Sequence, residues 1–261
     1  MIELSYQLYS SRNSPDLSAT LKMISGCGYS QVEGYADLVN DKKAAESLSE
    51  LLQKENLQMP SCHFNLEDLR ESPDSIIEIS NIFDINKIYI PYLDELDRPN
   101  DISGWKKFAE KLDIVAKPFE KAGIEVGWHN HDFEFMFIDS SIRPIDVILT
   151  TCESISLEFD IAWAVRADTD PLKFIHQYSS RISAVHLKDI DLEKDSSEED
   201  GWADVGYGTM NWEQLFPVLL SANIEYFVVE HDNPLDDHRF ASRSYNYLSN
   251  LAEQKTHDAG R

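Results

Sequence analysis

Basic residues are scarce: 23 Lys and Arg stand against 47 Asp and Glu, a formal net charge of −24 over 261 residues. A chain of this kind lacks the clustered cations that neutralise phosphates, which excludes a nucleic-acid binder and argues against an anionic membrane surface. A phosphorylated ligand is disfavoured for the same reason, and most of the acidity reads as solvated surface. Cysteine is scarce as well. Cys27, Cys62 and Cys152 are far apart and include no Cys-x-x-Cys pair, so neither a disulfide framework nor a zinc knuckle is indicated. They read as small buried hydrophobes in a reducing compartment. No apolar run approaches the ~18 residues that span a bilayer. The opening stretch Met1–Tyr6 lacks the basic-then-apolar pattern of a signal peptide. Together these absences predict a soluble, cytoplasmic protein. No Pro/Gly/Ser-rich linker divides the chain, which predicts a single domain over residues 1–261.

At 42% hydrophobic and 11% aromatic residues, the chain has ample material for a core. Short runs rich in Ile, Val, Tyr and Phe alternate with longer amphipathic stretches from end to end. The expected strands are Glu3–Leu8, Gln31–Glu33, Gln58–His63, Lys87–Ile90, Ile124–Trp128, Ile155–Asp160, Ile182–Leu187 and Tyr226–Glu230. Helical spacing is clearest in Ala45–Leu57, through Leu48, Leu51 and Leu52, and in Trp105–Ala122, through Phe108, Leu112, Val115 and Phe119. Ser14-Pro15 is expected to open the first helix, and Gly123 to close the one after the fourth strand. Eight strand–helix pairs in this length predict an α/β fold, a single (β/α)8 TIM barrel. A doubly wound open sheet is the alternative, but Leu8-Tyr9-Ser10-Ser11-Arg12 follows the first strand where a Gly-x-Gly-x-x-Gly would be needed. Two excursions stand out, Asp94–Ser103 and Asp189–Asp200. The second, with seven acids and one lysine, reads as a solvated loop or a lid.

In such a barrel the chemistry gathers where strands end, and here those ends are polar. Strand two ends in Glu33 and strand three in His63. Strand five runs into Trp128-His129-Asn130-His131-Asp132-Phe133-Glu134 and strand six into Glu158-Phe159-Asp160. Strand seven ends in His186-Leu187-Lys188-Asp189 and strand eight in Glu230-His231-Asp232. Unpaired buried carboxylates are costly, so four successive strands carrying acids and imidazoles to one rim call for a shared partner, most simply a divalent cation. One ligand per strand selects Glu134, Asp160, His186 and Glu230, a hard O/N set suited to Mn2+ or Mg2+, with Co2+, Fe2+ or Zn2+ also admitted. Bland readings stand beside these. His129 or His131 could be a satisfied histidine, and Lys188-Asp189 a surface ion pair. Trp128 and Trp163 could be core, His63 core or pocket, and His176 and His238 surface.

The motifs Gly127–Phe135, Glu158–Trp163, His186–Asp189 and Val229–Asp232 resemble those of the sugar phosphate isomerase/epimerase family, the xylose isomerase-like TIM barrels. Val205-Gly206-Tyr207-Gly208 before Asn211-Trp212 resembles that family's turn into its penultimate helix. The resemblance implies a Glu, Asp, His, Glu metal set matching the quartet, with His129 as the rival to Glu134, because many members carry the strand-five Glu at its position. Ala167-Asp168 departs from a pair of glycines frequent among relatives. The endonuclease branch, with more histidine ligands for several zinc ions, is rejected on ligand density and charge. The activity implied is isomerisation or epimerisation of a keto- or aldo-sugar through an enediolate. Glu134 and Glu230 would move the proton with help from His129 or His131, and Lys188 would donate to a substrate oxygen. His63, His131 and Trp163 would shape the pocket around a small, unphosphorylated sugar. A lyase or hydratase on a keto-sugar or inositol derivative would use the same side chains, and a non-catalytic sugar-binding barrel is the third reading. Members are often dimers or tetramers, so a homo-oligomer is compatible with the resemblance.

Overall fold

Eight of the strands close into one barrel in the computed structural model, which describes residues 2–191, 199–222 and 224–259. The barrel strands are β1 (Ser5–Gln7), β2 (Gln31–Tyr35), β3 (Gln58–His63), β4 (Lys87–Ile90), β5 (Glu125–His129), β6 (Ser156–Asp160), β7 (Ile182–Leu187) and β10 (Tyr226–Val229). Two short strands, β8 (Asp189–Ile190) and β9 (Trp202–Ala203), pair antiparallel beyond the rim. Neighbouring barrel strands are parallel throughout, and β1 joins β10 on one side and β2 on the other. The (β/α)8 expectation is met, with every strand within two residues of its expected position.

The helices are α1 (Leu17–Cys27), α2 (Lys42–Lys54), α3 (Leu66–Glu71), α4 (Pro73–Phe83), α5 (Ile102–Lys121), α6 (Pro144–Thr151), α7 (Ile161–Arg166), α8 (Pro171–Tyr178), α9 (Trp212–Ser221) and α10 (Asp237–Ala259). Caps decide where several begin. Asp16, rather than Ser14-Pro15, caps α1 by accepting from the Ala19 amide, and Asp41 starts α2 three residues before the expected Ala45. Asp101 caps α5, so the excursion after β4 is shorter than expected. Gly123, at φ +79°, follows the end of α5 in the left-handed conformation expected of a helix stop. Among the described residues, no helix is long and apolar enough to cross a membrane.

Alternation sorts each strand into two faces. Val32, Ile88, Val126, Leu157, Phe159, Val185, Leu187 and Val229 belong to the main hydrophobic core, together with Leu21, Leu48, Leu112, Ile148, Phe174 and Leu215 of the surrounding helices. The opposite faces carry Gln7, Glu33, Ser61, His63, Lys87, His129, Glu158 and His186, all buried. These side chains fill the barrel itself, since Glu33 on β2 meets His186 on β7 although β1 and β10 stand between their strands. Barrel interiors are usually packed with Val, Ile and Leu. This one is polar and hydrogen-bonded, an outcome that composition does not announce. Gly127 belongs to the same packing, because a Cβ there would lie 2.5 Å from the Tyr89 ring and 2.8 Å from Ser156 Oγ.

Candidate active site

A cavity of about 540 Å³ opens where the strands end, lined among others by Tyr9, Arg12, Tyr35, His63, His129, His131, Trp163, Glu230 and Asp232. Beneath it Asp160, at the end of β6, lies beside His186 on β7 and Glu230 just past β10, with ligand atoms within 4.8 Å of one another. His186 Nδ1 is 3.0 Å from Glu230 Oε2 and 3.9 Å from Asp160 Oδ2. Asp160 Oδ1 accepts from the Trp163 amide at 2.9 Å, capping α7, while Oδ2 is buried without a hydrogen-bond partner. Two carboxylate oxygens, one of them unsatisfied, and one imidazole nitrogen form a hard mixed donor set that fits a divalent cation.

Three of the four residues expected as metal ligands are thus brought together, and the fourth is not. Glu134 is fully buried, accepting from Trp128 Nε1 at 2.8 Å through one oxygen and from the His131 amide at 2.8 Å through the other. Burial pushes its carboxyl up to about 8, against the downward pull of these donors. The chain turns after His129, so a residue five positions on faces the protein rather than the rim. Trp128 is core, as one reading of it held, and is the partner of Glu134.

Lys188 is fully buried as well. Its Nζ lies 2.5 Å from Asp232 Oδ2, 3.2 Å from Glu230 Oε2 and 3.6 Å from Asp160 Oδ2, and 4.2 Å from the centre of the Trp202 ring. Burial lowers its pKa, but these carboxylates outweigh that and hold it charged. Burial alone would keep Glu230 protonated, yet Lys188 and His186 hold its pKa well below the usual carboxylate range. Asp160 is raised, because burial exceeds the attraction of Lys188. The ammonium therefore supports Glu230 from beneath and does not line the cavity, contrary to its expected contact with substrate. Nor is Lys188-Asp189 a surface pair. Asp189 is buried, accepting from Trp212 Nε1 and from the amides of Ile190, Gly206, Gly208 and Met210. The Gly206-Tyr207-Gly208 turn wraps this carboxylate, and a Cβ on Gly208 would collide with Asp189. Residues 192–198 of the acidic excursion, expected as a solvated loop or a lid, lie outside the described residues.

Deeper in the barrel, His63, His129, Glu158 and His186 form a second group of candidate ligands. His63 Nε2 lies 2.6 Å from Glu158 Oε2 and 3.2 Å from Glu33 Oε1. Burial opposes its charge, but Glu33 and Glu158 raise it to about 10. His129 Nδ1 meets Glu158 Oε2 at 3.0 Å, yet burial and the neighbouring His186 keep it neutral. His131 lines the cavity near Trp163, ring centres 5.0 Å apart, and burial lowers it to about 3. Imidazole density is thus higher than the sequence reading allowed. His176 and His238 are exposed, as expected.

A family model described as xylose isomerase-like TIM barrel matches residues 21–250. The chain belongs to the xylose isomerase-like TIM barrel family. Among curated relatives, an inosose dehydratase of Bacillus cereus (strain AH820) is 27% identical over 139 residues, 48% of this chain and 46% of the relative. The chain thus spans about half the length of the curated relatives it matches. Among solved structures, it resembles a sugar phosphate isomerase/epimerase from Parabacteroides distasonis ATCC 8503, with a TM-score of 0.78 and 18% identity, covering 94% of this chain and 96% of the other. It also resembles the probable 3-DHS dehydratase AsbF, involved in petrobactin synthesis, from Bacillus anthracis, with a TM-score of 0.74 and 12% identity, covering 95% and 99%. At such identities the two structures speak for the fold alone.

Within this xylose isomerase-like barrel, Glu33, Glu158 and Asp232 were visible as polar strand ends but carried no assigned role. A parity argument could have placed Glu158, which shares the inward face of Asp160 two residues on. The Ala167-Asp168 departure is accommodated locally. Asp168 takes the left-handed conformation at φ +55°, which a short polar side chain tolerates better than most.

Proposed function

We propose that the protein is a divalent-metal-dependent sugar isomerase or epimerase of the cytoplasm. It would move a proton next to the carbonyl of a neutral keto- or aldo-sugar. The observation that carries this reading is the convergence of Asp160, His186 and Glu230 beneath a cavity that Glu230 itself lines. Asp160, His186 and Glu230 would hold a cation, Mn2+ or Mg2+ for such donors, which would supply polarisation of the substrate carbonyl. Glu230 is the proton acceptor, kept ionised by the ammonium of Lys188. His131, neutral and on the same cavity, is placed to handle the proton at the second carbon or oxygen. Trp163 and His63 bound the sugar, and the ring of Trp163 offers an apolar face. Glu134 is left out of the chemistry because both of its oxygens face protein donors. Asp37, Glu230 and Asp232 outnumber Arg12 and the protonated His63 among the charged lining residues, which favours an unphosphorylated sugar over an anionic one or a nucleic acid.

Elimination of water from the same enediolate is the second reading, favoured by one observation: curated relatives that match about half of the chain include inosose dehydratases. Both are tested by incubating the protein with a panel of keto-sugars, aldoses and inososes in D2O, with Mn2+ or with EDTA, and following the products by NMR. Deuterium next to the carbonyl in Mn2+, lost in EDTA and in Glu230→Gln, is the expected result. Appearance of an unsaturated or deoxy product would decide for the dehydratase. A panel that neither exchanges nor eliminates refutes both readings.

A further inference from the structure

His186 is the one side chain common to the two groups of candidate ligands. Its Nδ1 faces Glu230 and Asp160 on the cavity side, at 3.0 and 3.9 Å. Its Nε2 faces into the barrel, 2.8 Å from Glu33 Oε1 and 3.2 Å from Glu158 Oε2. A neutral imidazole carries one N–H and one lone pair, so what one nitrogen does dictates what the other can offer. We propose that Glu33 is a positioning residue for the cation site: it accepts the Nε2–H of His186 and so presents the Nδ1 lone pair beside Asp160 and Glu230. This inference rests on the cation reading of the preceding subsection.

Glu33 is itself held in place. Its Oε1 also accepts from Gln7 Nε2 at 2.8 Å, and its Oε2 accepts from Ser61 Oγ at 2.6 Å, all in a fully buried setting. The carboxylate therefore cannot swing away from His186 without breaking two further hydrogen bonds. Glu158 Oε2 is the secondary partner, already engaged by His63 and His129. Glu33 thus anchors, from β2 and 153 positions earlier in the chain, a ligand carried by β7. Carboxylates behind ligating histidines fix ring orientation, and their loss typically weakens metal binding about 10- to 100-fold.

The test is Mn2+ titration calorimetry on the full chain for the wild type, Glu33→Gln and Ser61→Ala, each checked by circular dichroism and thermal melting. Glu33→Gln is expected to bind Mn2+ about 10- to 100-fold more weakly. Ser61→Ala removes one of the two hydrogen bonds that hold Glu33 but leaves the Glu33–His186 contact itself, so it should weaken Mn2+ binding less than Glu33→Gln does. If Glu33→Gln does not fold, Glu33→Asp, which keeps the charge and withdraws the acceptor by one methylene, is read in its place. With Zn2+ as a diamagnetic probe, 15N-histidine spectra of the wild type should show a ligated Nδ1 and a protonated Nε2 on His186, with the Nε2 signal shifted in the variant. Wild-type affinity in the Glu33 variant overturns the positioning role and leaves the cation reading standing. Absence of Mn2+ binding by the wild type overturns both.

Discussion

Replacing Lys188 by Met keeps most of the side chain's length while removing the charge that three carboxylates share. Asp232, Glu230 and Asp160 lie 2.5, 3.2 and 3.6 Å from Nζ, and the ammonium is fully buried. Breaking a buried ion pair from one side typically costs about 3–5 kcal/mol, because the remaining charge is left uncompensated. At about 2 °C per kcal/mol for a chain of this length, the melting temperature in EDTA should fall by about 6–10 °C. On the cation reading, a divalent ion should act on the two proteins differently, because in the wild type it would share Glu230 and Asp160 with the ammonium, and in Lys188→Met it would meet those oxygens without that competitor. Ligand at 100 times its Kd stabilises a folded protein by about 2.7 kcal/mol. Mn2+ should therefore restore a large part of the loss in the variant and shift the wild type less. Differential scanning fluorimetry of both proteins, with EDTA and across a Mn2+ series, makes the comparison. An unchanged melting temperature in EDTA would refute the charge argument, and equal Mn2+ shifts would refute the competition.

Glu134→Gln tests the assignment that the structure did not support. Its Mn2+ affinity in calorimetry should match the wild type, and a loss of binding would return Glu134 to the ligand set. The same variant carries a pH signature. A buried carboxyl raised from 4.5 to about 8 gives stability that is full below about pH 4.5 and is lost as pH rises through 8. Urea melts from pH 5 to 8 should thus show the wild type losing stability relative to Glu134→Gln, and parallel curves would refute the shift. Gly127→Ala should destabilise by about 1–3 kcal/mol through overlap with Tyr89 and Ser156 inside the barrel, read as a lower urea midpoint. A neutral substitution there would mean that the barrel wall yields more readily than this packing implies.

The order of elements was legible in the chain because it rests on local rules. Short apolar runs placed every barrel strand, and the polar ends of those runs marked the rim that carries the cavity. Asp160, His186 and Glu230 could be named together because each closes a strand, and all parallel strands of a barrel end on one side. Helix starts were less legible. Several residues in each segment could cap, and Asp16 and Asp41 were preferred to their neighbours only once the chain direction was set.

The sequence by itself therefore determined the fold class, the excess of acid, and which strand ends carry carboxylates and imidazoles. Tertiary structure alone decided how those groups pair. Glu134 is three residues from His131 in the chain and turns away from the cavity that His131 lines, since backbone and indole donors satisfy it inside the loop. Glu33 is 153 residues from His186 and lies 2.8 Å from it. Contacts across a barrel interior depend on closure and register, which place strands far apart in sequence at opposite walls of one small space. No local periodicity encodes that distance.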